Sequence, residues 1–288
     1  MLELALRGLI TGGVYALLAV SLILIWNASG VVNFAQGEWL MFGAFIGAWL
    51  VSKLHINVVL ALLLTALLVG ALGYLLEVTT YHPLRGQPHK SQVIATIGVS
   101  VALENLAMVI WGVYPISMPP LFGKEPIHFL GATLLPQEIG ISVVTILLLG
   151  VLGLVMTRTM FGKQVRAVSN DEQAAQLLGL PVNRILRLTF AASGVIAGIA
   201  GFLVAPLYFA TTTMGASLLL KTFAAVVVGG FGSIPGALVG GFSLGLIEIF
   251  ATNYISSAYK DAYAFIILMA VLIVRPGGIF GERVGDKV

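Results

Sequence analysis

Apolar residues in this chain come as long runs, separated by short polar or glycine-rich interruptions. Nine such runs fall at about 8–26, 39–52, 57–76, 92–112, 139–157, 188–209, 214–230, 236–252 and 262–275. A helix needs about 20 apolar residues to cross the hydrocarbon of a bilayer, so runs of this length read as membrane-spanning helices. The second, the eighth and the last are short, and each is rich in Gly or bordered by polar residues. Some are therefore expected to be tilted, broken or re-entrant. The pattern predicts an all-α polytopic transmembrane helix bundle of about eight to ten spans, forming a single transmembrane domain over residues 1–288.

The longest clearly polar stretch between apolar runs is 167–187, AVSNDEQAAQLLGLPVNRILR. It predicts a short helix of about eight residues. Asn170 is the expected N-cap, Asp171 and Glu172 put negative charge in the first turn, and Gln173 occupies the capping-box position. Gly179 ends the helix, and Pro181 is expected to keep it from resuming. Ala174, Leu177 and Leu178 share one face at i, i+3, i+4 spacing. An apolar stripe on a short helix between two spans has little core of its own to enter, so its favoured partner is another protein. The competing reading is a loop helix lying on its own bundle or on lipid headgroups.

Arg158, Lys163, Arg166, Arg184 and Arg187 make 158–187 the most basic loop. By the positive-inside rule it is cytoplasmic; the tail, with Arg275, Arg283 and Lys287, falls on the same side after four further crossings, and so does 77–91, with Arg85 and Lys90, if two crossings separate it from the central loop. The segment 113–138 then becomes the longest external loop, while the side of the N-terminus stays open.

Polar residues inside the apolar pattern are the other candidates. In NASGVVNFAQGE, residues 27–38, Asn33, Gln36 and Glu38 lie between two apolar runs, with Gly30 and Gly37 permitting irregular backbone. Such backbone persists at membrane depth only where it is buried in protein or lines a cavity; a plain turn is the alternative. Glu104 is mid-span, and Glu248 is two-thirds along its run. Each is either functional or a bundle-holding group. Glu77 sits where a span meets a loop, and Lys221 near the start of its run is expected to snorkel. In FAAVVVGGFGSIPGALVGG, residues 223–241, two Gly pairs flank Ser233-Ile234-Pro235, where the chain must turn. The bends at 30–48 and 229–247 echo one another, as internal repeats of transporters do.

Composition narrows the class. Of 288 residues 59% are hydrophobic and 9% charged, against about 25% charged in soluble domains. The 34 glycines suit close helix approach in a membrane. The formal charge of +3 is no nucleic-acid footprint, because the basic residues sit at the ends of apolar runs. There is no Cys, and His55, His82, His89 and His128 lack metal-ligand spacing. GxxxxGK[ST], HExxH and GxSxG patterns are absent, so the chain has no Walker-type nucleotide site and no visible catalytic set. No enzyme activity and no metal are expected, and any energy from ATP must come through another subunit.

Three regions carry a resemblance. Asp171-Glu172-x-Ala174-Ala175-x-x-x-Gly179 resembles the EAA-type cytoplasmic loop of ABC-transporter permeases, and Leu180-Pro181-Val182-Asn183-Arg184 the version of that loop in branched-chain amino-acid permeases of the LivH type. Asn33-Phe34-Ala35-Gln36-Gly37-Glu38 is similar to that family's NFAxGE signature, with Gln36 where His is usual, which removes a titratable group. The runs 229–241 and 274–281 are similar to its GGxGSxPGAxxGG and C-terminal patterns. The resemblance, spanning Gly8 to Gly281, implies the permease subunit of an importer for branched-chain amino acids in a cell (inner) membrane. Implied partners are cytoplasmic ABC ATPase subunits, a homologous second permease and an extracytoplasmic substrate-binding protein. No cofactor is implied, ATP being bound by the partner. By the same resemblance Asp171, Glu172, Ala174, Ala175, Leu178 and Gly179 are the expected ATPase-coupling residues. Asn33, Gln36, Glu38 and Glu104 are the candidates for the translocation path. The alternatives are a urea or short-chain amide permease, or an ion-coupled secondary transporter with Glu104 or Glu248 as its ion site.

Overall fold

A computed structural model describes residues 1–123, 125–129, 132–275 and 277–280. Pro276, in the 274–281 run, and the tail with Gly281, Arg283 and Lys287 lie outside the described residues. The helices are α1 (Leu2–Ser29), α2 (Gln36–Ser52), α3 (Val58–Leu76), α4 (His89–Trp111), α5 (Pro136–Arg158), α6 (Met160–Asn170), α7 (Glu172–Leu177), α8 (Val182–Tyr208), α9 (Met214–Gly229), α10 (Ile234–Tyr254) and α11 (Lys260–Val274). A two-stranded antiparallel hairpin, β1 (Ile127–Phe129) and β2 (Ala132–Leu134), pairs Ile127 with Leu134 inside the long 113–138 segment.

Among the described residues seven helical segments are long and apolar enough to cross a bilayer. These are α1, α3 continued to Leu84, α4, α5, α8, α10, and α11 with the turn before it. Two apolar helices are shorter, α2 with 17 residues and α9 with 16. The nine apolar runs therefore each produce a helix, but the eighth is not short. α10 has 21 residues, because Ser233 caps it by accepting from the Gly236 amide at 3.0 Å and Pro235 is tolerated in its first turn. The turn before it is made at Gly230 and Gly232, with φ of 109° and 86°, which only glycine adopts freely.

The chain divides into two compact units. The first comprises Met1–Ile23, Pro120–Ile146 and Ser217–Val288. Here α1 crosses α10 glycine to glycine. A Cβ at Gly12 would stand 2.8 Å from the Phe242 Cα, and one at Gly241 would stand 2.5 Å from the Ala16 Cα. The amides of Ile279 and Phe280 donate to the carbonyls of Val228 and Gly229, both at 2.9 Å, tying residues 279–280 to α9.

The second unit comprises Leu24–Pro119 and Leu147–Ala216. α8 is its centre, packed against α2 and α3. Small residues set these approaches too: a Cβ at Gly43 would lie 2.7 Å from the Gly198 Cα, and one at Gly194 2.6 Å from the Val69 carbonyl oxygen. Trp111 closes the end of α4 by stacking on Phe45, with ring centroids 5.2 Å apart. α3 does not end where its apolar run ends. It continues through a π-helical turn, Glu77–Tyr81, and a 3-10 turn, His82–Leu84.

Candidate coupling helix and buried polar clusters

The basic stretch 158–187 is mostly helical. Asn170 is the last residue of α6, and the cap of α7 is Asp171, whose carboxylate accepts from the Ala174 amide at 2.8 Å. This corrects the expected Asn170 cap and Gln173 box. Asp171 leaves the helical region, φ −158°, because two helices meet there and one residue must turn the chain. α7 is six residues long rather than eight. At its end Gly179 takes φ 79°, its amide donates to Gln176 O at 2.9 Å, and the Leu180 amide donates to Ala175 O at 3.0 Å. That pair of bonds is the Schellman arrangement, which needs a left-handed residue at Gly179. Pro181 does not hold off the next helix. Standing just before α8, it needs no donor there, and α8 starts at Val182.

The six expected coupling residues divide by exposure. Asp171, Ala174, Leu178 and Gly179 are exposed, Glu172 is half-buried, and Ala175 faces inward. Leu177 is 90% exposed and Leu178 81% exposed, so the apolar stripe of α7 is open. Charged pairs hold the opposite side. The Arg85 guanidinium is bonded to both the Glu172 carboxylate and the Asn183 side-chain carbonyl, joining α7 to the turn after α3 and to the start of α8. One turn further along α8, Arg187 pairs with the fully buried Glu77 at 3.2 Å. Tyr81 donates to Ser29 O at 3.0 Å and lies against the Phe190 ring. From sequence Arg85 and Arg187 counted only as loop cations and Asn183 only as part of a motif, because loop cations and amides give no signal of their partners.

The second unit also brings the expected path residues together. The chain breaks between α1 and α2, and Asn33, Gln36 and Glu38 are all buried at the break. Asn33 Oδ1 accepts from the Ala35 amide at 3.1 Å, and Gln36 exchanges hydrogen bonds with the Ser193 hydroxyl of α8 at 3.1 and 3.3 Å. Glu38 accepts from the Ser100 hydroxyl at 3.1 Å, and the Thr96 hydroxyl accepts from the Phe34 amide at 3.2 Å. Glu104, half-buried, is one turn beyond Ser100 on α4 and within electrostatic reach of Glu38. Gln92, Thr96, Ser100 and Glu104 recur every fourth residue, a polar stripe legible in the sequence that would have found Thr96 and Ser100.

A further cluster lies in the first unit. Glu248 is fully buried and accepts from Tyr15 Oη at 2.8 Å and from Lys221 Nζ at 2.9 Å. Lys221 also reaches Asp261 at 2.7 Å, and Lys260 stands 3.7 Å from Glu248. Lys221 therefore does not snorkel. Its ammonium is itself buried and bridges the buried Glu248 to the exposed Asp261, and that pairing offsets the cost of burial.

Long apolar helices crossing at glycines, with polar clusters closed among them, define a multi-pass membrane protein. A family model described as "Branched-chain amino acid transport system / permease component" matches residues 4–274, and the chain belongs to that family. It is 34% identical to the high-affinity branched-chain amino acid transport system permease protein BraD of Pseudomonas aeruginosa, over 100% of this chain and 98% of that one. It is 31% identical to the corresponding LivH of Escherichia coli, over 100% and 97%. A solved structure, PsaBC from Streptococcus pneumoniae in complex with Fab, shares the fold with TM-score 0.50 at 15% identity, covering 95% of this chain and 92% of that one.

Proposed function

We propose that this chain is the membrane-spanning permease subunit of an ATP-driven importer of branched-chain amino acids, in a cell inner membrane. It works with a homologous second permease, cytoplasmic ABC ATPases that bind the ATP, and an extracytoplasmic substrate-binding protein. The chain itself carries no cofactor and catalyses no covalent step. Full-length similarity to permeases named for branched-chain amino acid transport supports the substrate class.

The observation that carries the coupling reading is α7: capped at both ends, braced by Arg85 on one side, and offering Leu177 and Leu178 bare on the other. In this mechanism the ATPases seat α7 by its leucines. Their closure displaces α7, and the Glu172–Arg85–Asn183 bonds carry that displacement to the start of α8. α8 holds Ser193 against Gln36, so its movement shifts the polar break at Asn33, Gln36 and Glu38. Asp171 and Gly179 preserve the shape of α7, and Ala175 packs it down. The closed Tyr15–Glu248–Lys221 cluster speaks against Glu248 as an ion-coupling site, since its carboxylate already has two close donors.

Uptake of labelled leucine, and separately of urea, in cells lacking only this chain tests the substrate. Loss of leucine uptake alone is expected. Loss of urea uptake alone would overturn the substrate, and uptake by the purified chain without an ATPase would overturn the ATP-driven class.

A further inference from the structure

The second unit carries an apolar groove of about 300 Å³ whose walls are the last turns of α5, the start of α6 and the middle of α8. Val151 and Val155 line it from α5, Phe161 and Val165 from α6, and Ala192 and Ile196 from α8. A groove this apolar at the end of a candidate span suits hydrocarbon, and its rim says which kind. Arg158 follows Val151 and Val155 at i+7 and i+3, so it continues the groove-lining face of α5 and is exposed at its end. Arg166 is exposed as well, and its guanidinium is bonded to the carbonyl of Met156, itself a groove residue. One guanidinium, that of Arg166, is therefore bonded at the rim of the hydrocarbon slot, and helical spacing puts Arg158 at the end of the same groove-lining face of α5. Lys163 is a neighbour of Arg166 one turn earlier on α6, about 200° around the helix from Phe161; what sets Arg166 apart is its bond to Met156, which turns its guanidinium towards the groove.

We propose that this groove is a binding site for an anionic phospholipid, with one acyl chain lying between α5, α6 and α8 and the headgroup held by Arg158 and Arg166. Guanidinium forks match phosphate oxygens in a way a lysine does not, and cations at this depth attract anionic rather than zwitterionic lipid. The site is separate from α7 and does not rest on the transport reading. Its occupant would set the angle between the end of α5 and α6, the helix directly before α7.

The test is native mass spectrometry of the full-length protein released from bilayers containing equal phosphatidylglycerol and phosphatidylcholine. The wild type is expected to retain phosphatidylglycerol with a preference of about thirtyfold, the scale set by two interfacial cations. Arg158→Gln should lower the preference several-fold, and Arg158→Gln with Arg166→Gln should abolish it. Lys163→Gln removes the same charge one turn from Arg166, at a side chain about 200° around α6 from the groove-lining Phe161, and should leave the preference nearly intact. Ala192→Trp, which fills the groove, should lose the lipid while both arginines remain. Equal retention of the two lipids by the wild type would overturn the proposal. So would an equal effect of Lys163→Gln and Arg158→Gln, which indicates surface charge alone. A shift of the Ala192→Trp protein from a dimer to a monomer would assign the groove to a second protein chain instead.

Discussion

Lys221 and Glu248 illustrate what single residues contribute. An ammonium and a carboxylate removed from water cost several kcal/mol unless each finds its partners, and here both do. Lys221→Met leaves Glu248 buried with only Tyr15 and the more distant Lys260. It is expected to cost about 3 kcal/mol, the range found when one member of a buried pair is removed. Thermal unfolding of the detergent-purified protein measures this. Adding Glu248→Gln to Lys221→Met should restore part of the loss; a double variant as unstable as the two single losses summed would contradict the pairing. Asp171 offers a second residue-scale test. Asp171→Ala removes the α7 cap and should cost that helix about 1 kcal/mol, lowering uptake, whereas Asp171→Asn keeps the cap and should transport nearly normally. Neither the buried pair nor the true cap was evident from sequence. Lys221 and Glu248 are 27 positions apart, and a lysine near the start of an apolar run looks like any snorkelling lysine. Asn170 and Asp171 are both good caps, and only the extension of α6 through Asn170 decides between them.

At the scale of elements, hydrophobic runs were a sufficient guide to the helices, because a bilayer forces each crossing chain into a helix, although among the described residues seven segments have the length to cross against the eight to ten spans expected. What they did not give was helix length beyond the apolar run. α8 begins at Val182, six residues before the run starts, because an amphipathic first turn is helical as long as its polar side chains face partners such as Arg85. Glycine spacing was legible as close packing but not as to which helices meet. The α2–α8 crossing makes a specific demand. A Cβ at Gly201 would run into the Leu40 carbonyl and stand 2.9 Å from the Ala44 amide nitrogen. Gly201→Ala should therefore destabilise the protein by about 2 kcal/mol, within the range for overpacking, and lower the amount of folded protein recovered by size-exclusion chromatography. Gly98→Ala, where nothing lies within 4 Å, is the control expected to behave as the wild type. For α7, Gly179 also has open space around it, so its constraint is conformational. Gly179→Asn, tolerant of positive φ, should keep uptake, and Gly179→Val should lose it while still inserting.

For the whole molecule, the candidate site was legible where chemistry is local and hidden where it is distributed. NFAQGE announced itself as a polar break in an apolar pattern, and the structure buries Asn33, Gln36 and Glu38 together there. The link from that break to α7 runs through Ser193, Asn183 and Arg85, residues whose types are unremarkable and whose partners are up to 157 positions away. In the proposed mechanism this linkage transmits ATPase movement, which enters through the exposed leucines of α7. Because Leu177 and Leu178 touch little within the chain, changing them tests docking without disturbing the bundle. The direct measurement is ATP-dependent uptake of labelled leucine in cells lacking this chain and supplied with either the wild type or the Leu177→Asp, Leu178→Asp protein at equal membrane levels. The wild type is expected to restore uptake and the double variant to fail, although it is inserted and as thermally stable. Full uptake by the double variant would contradict it.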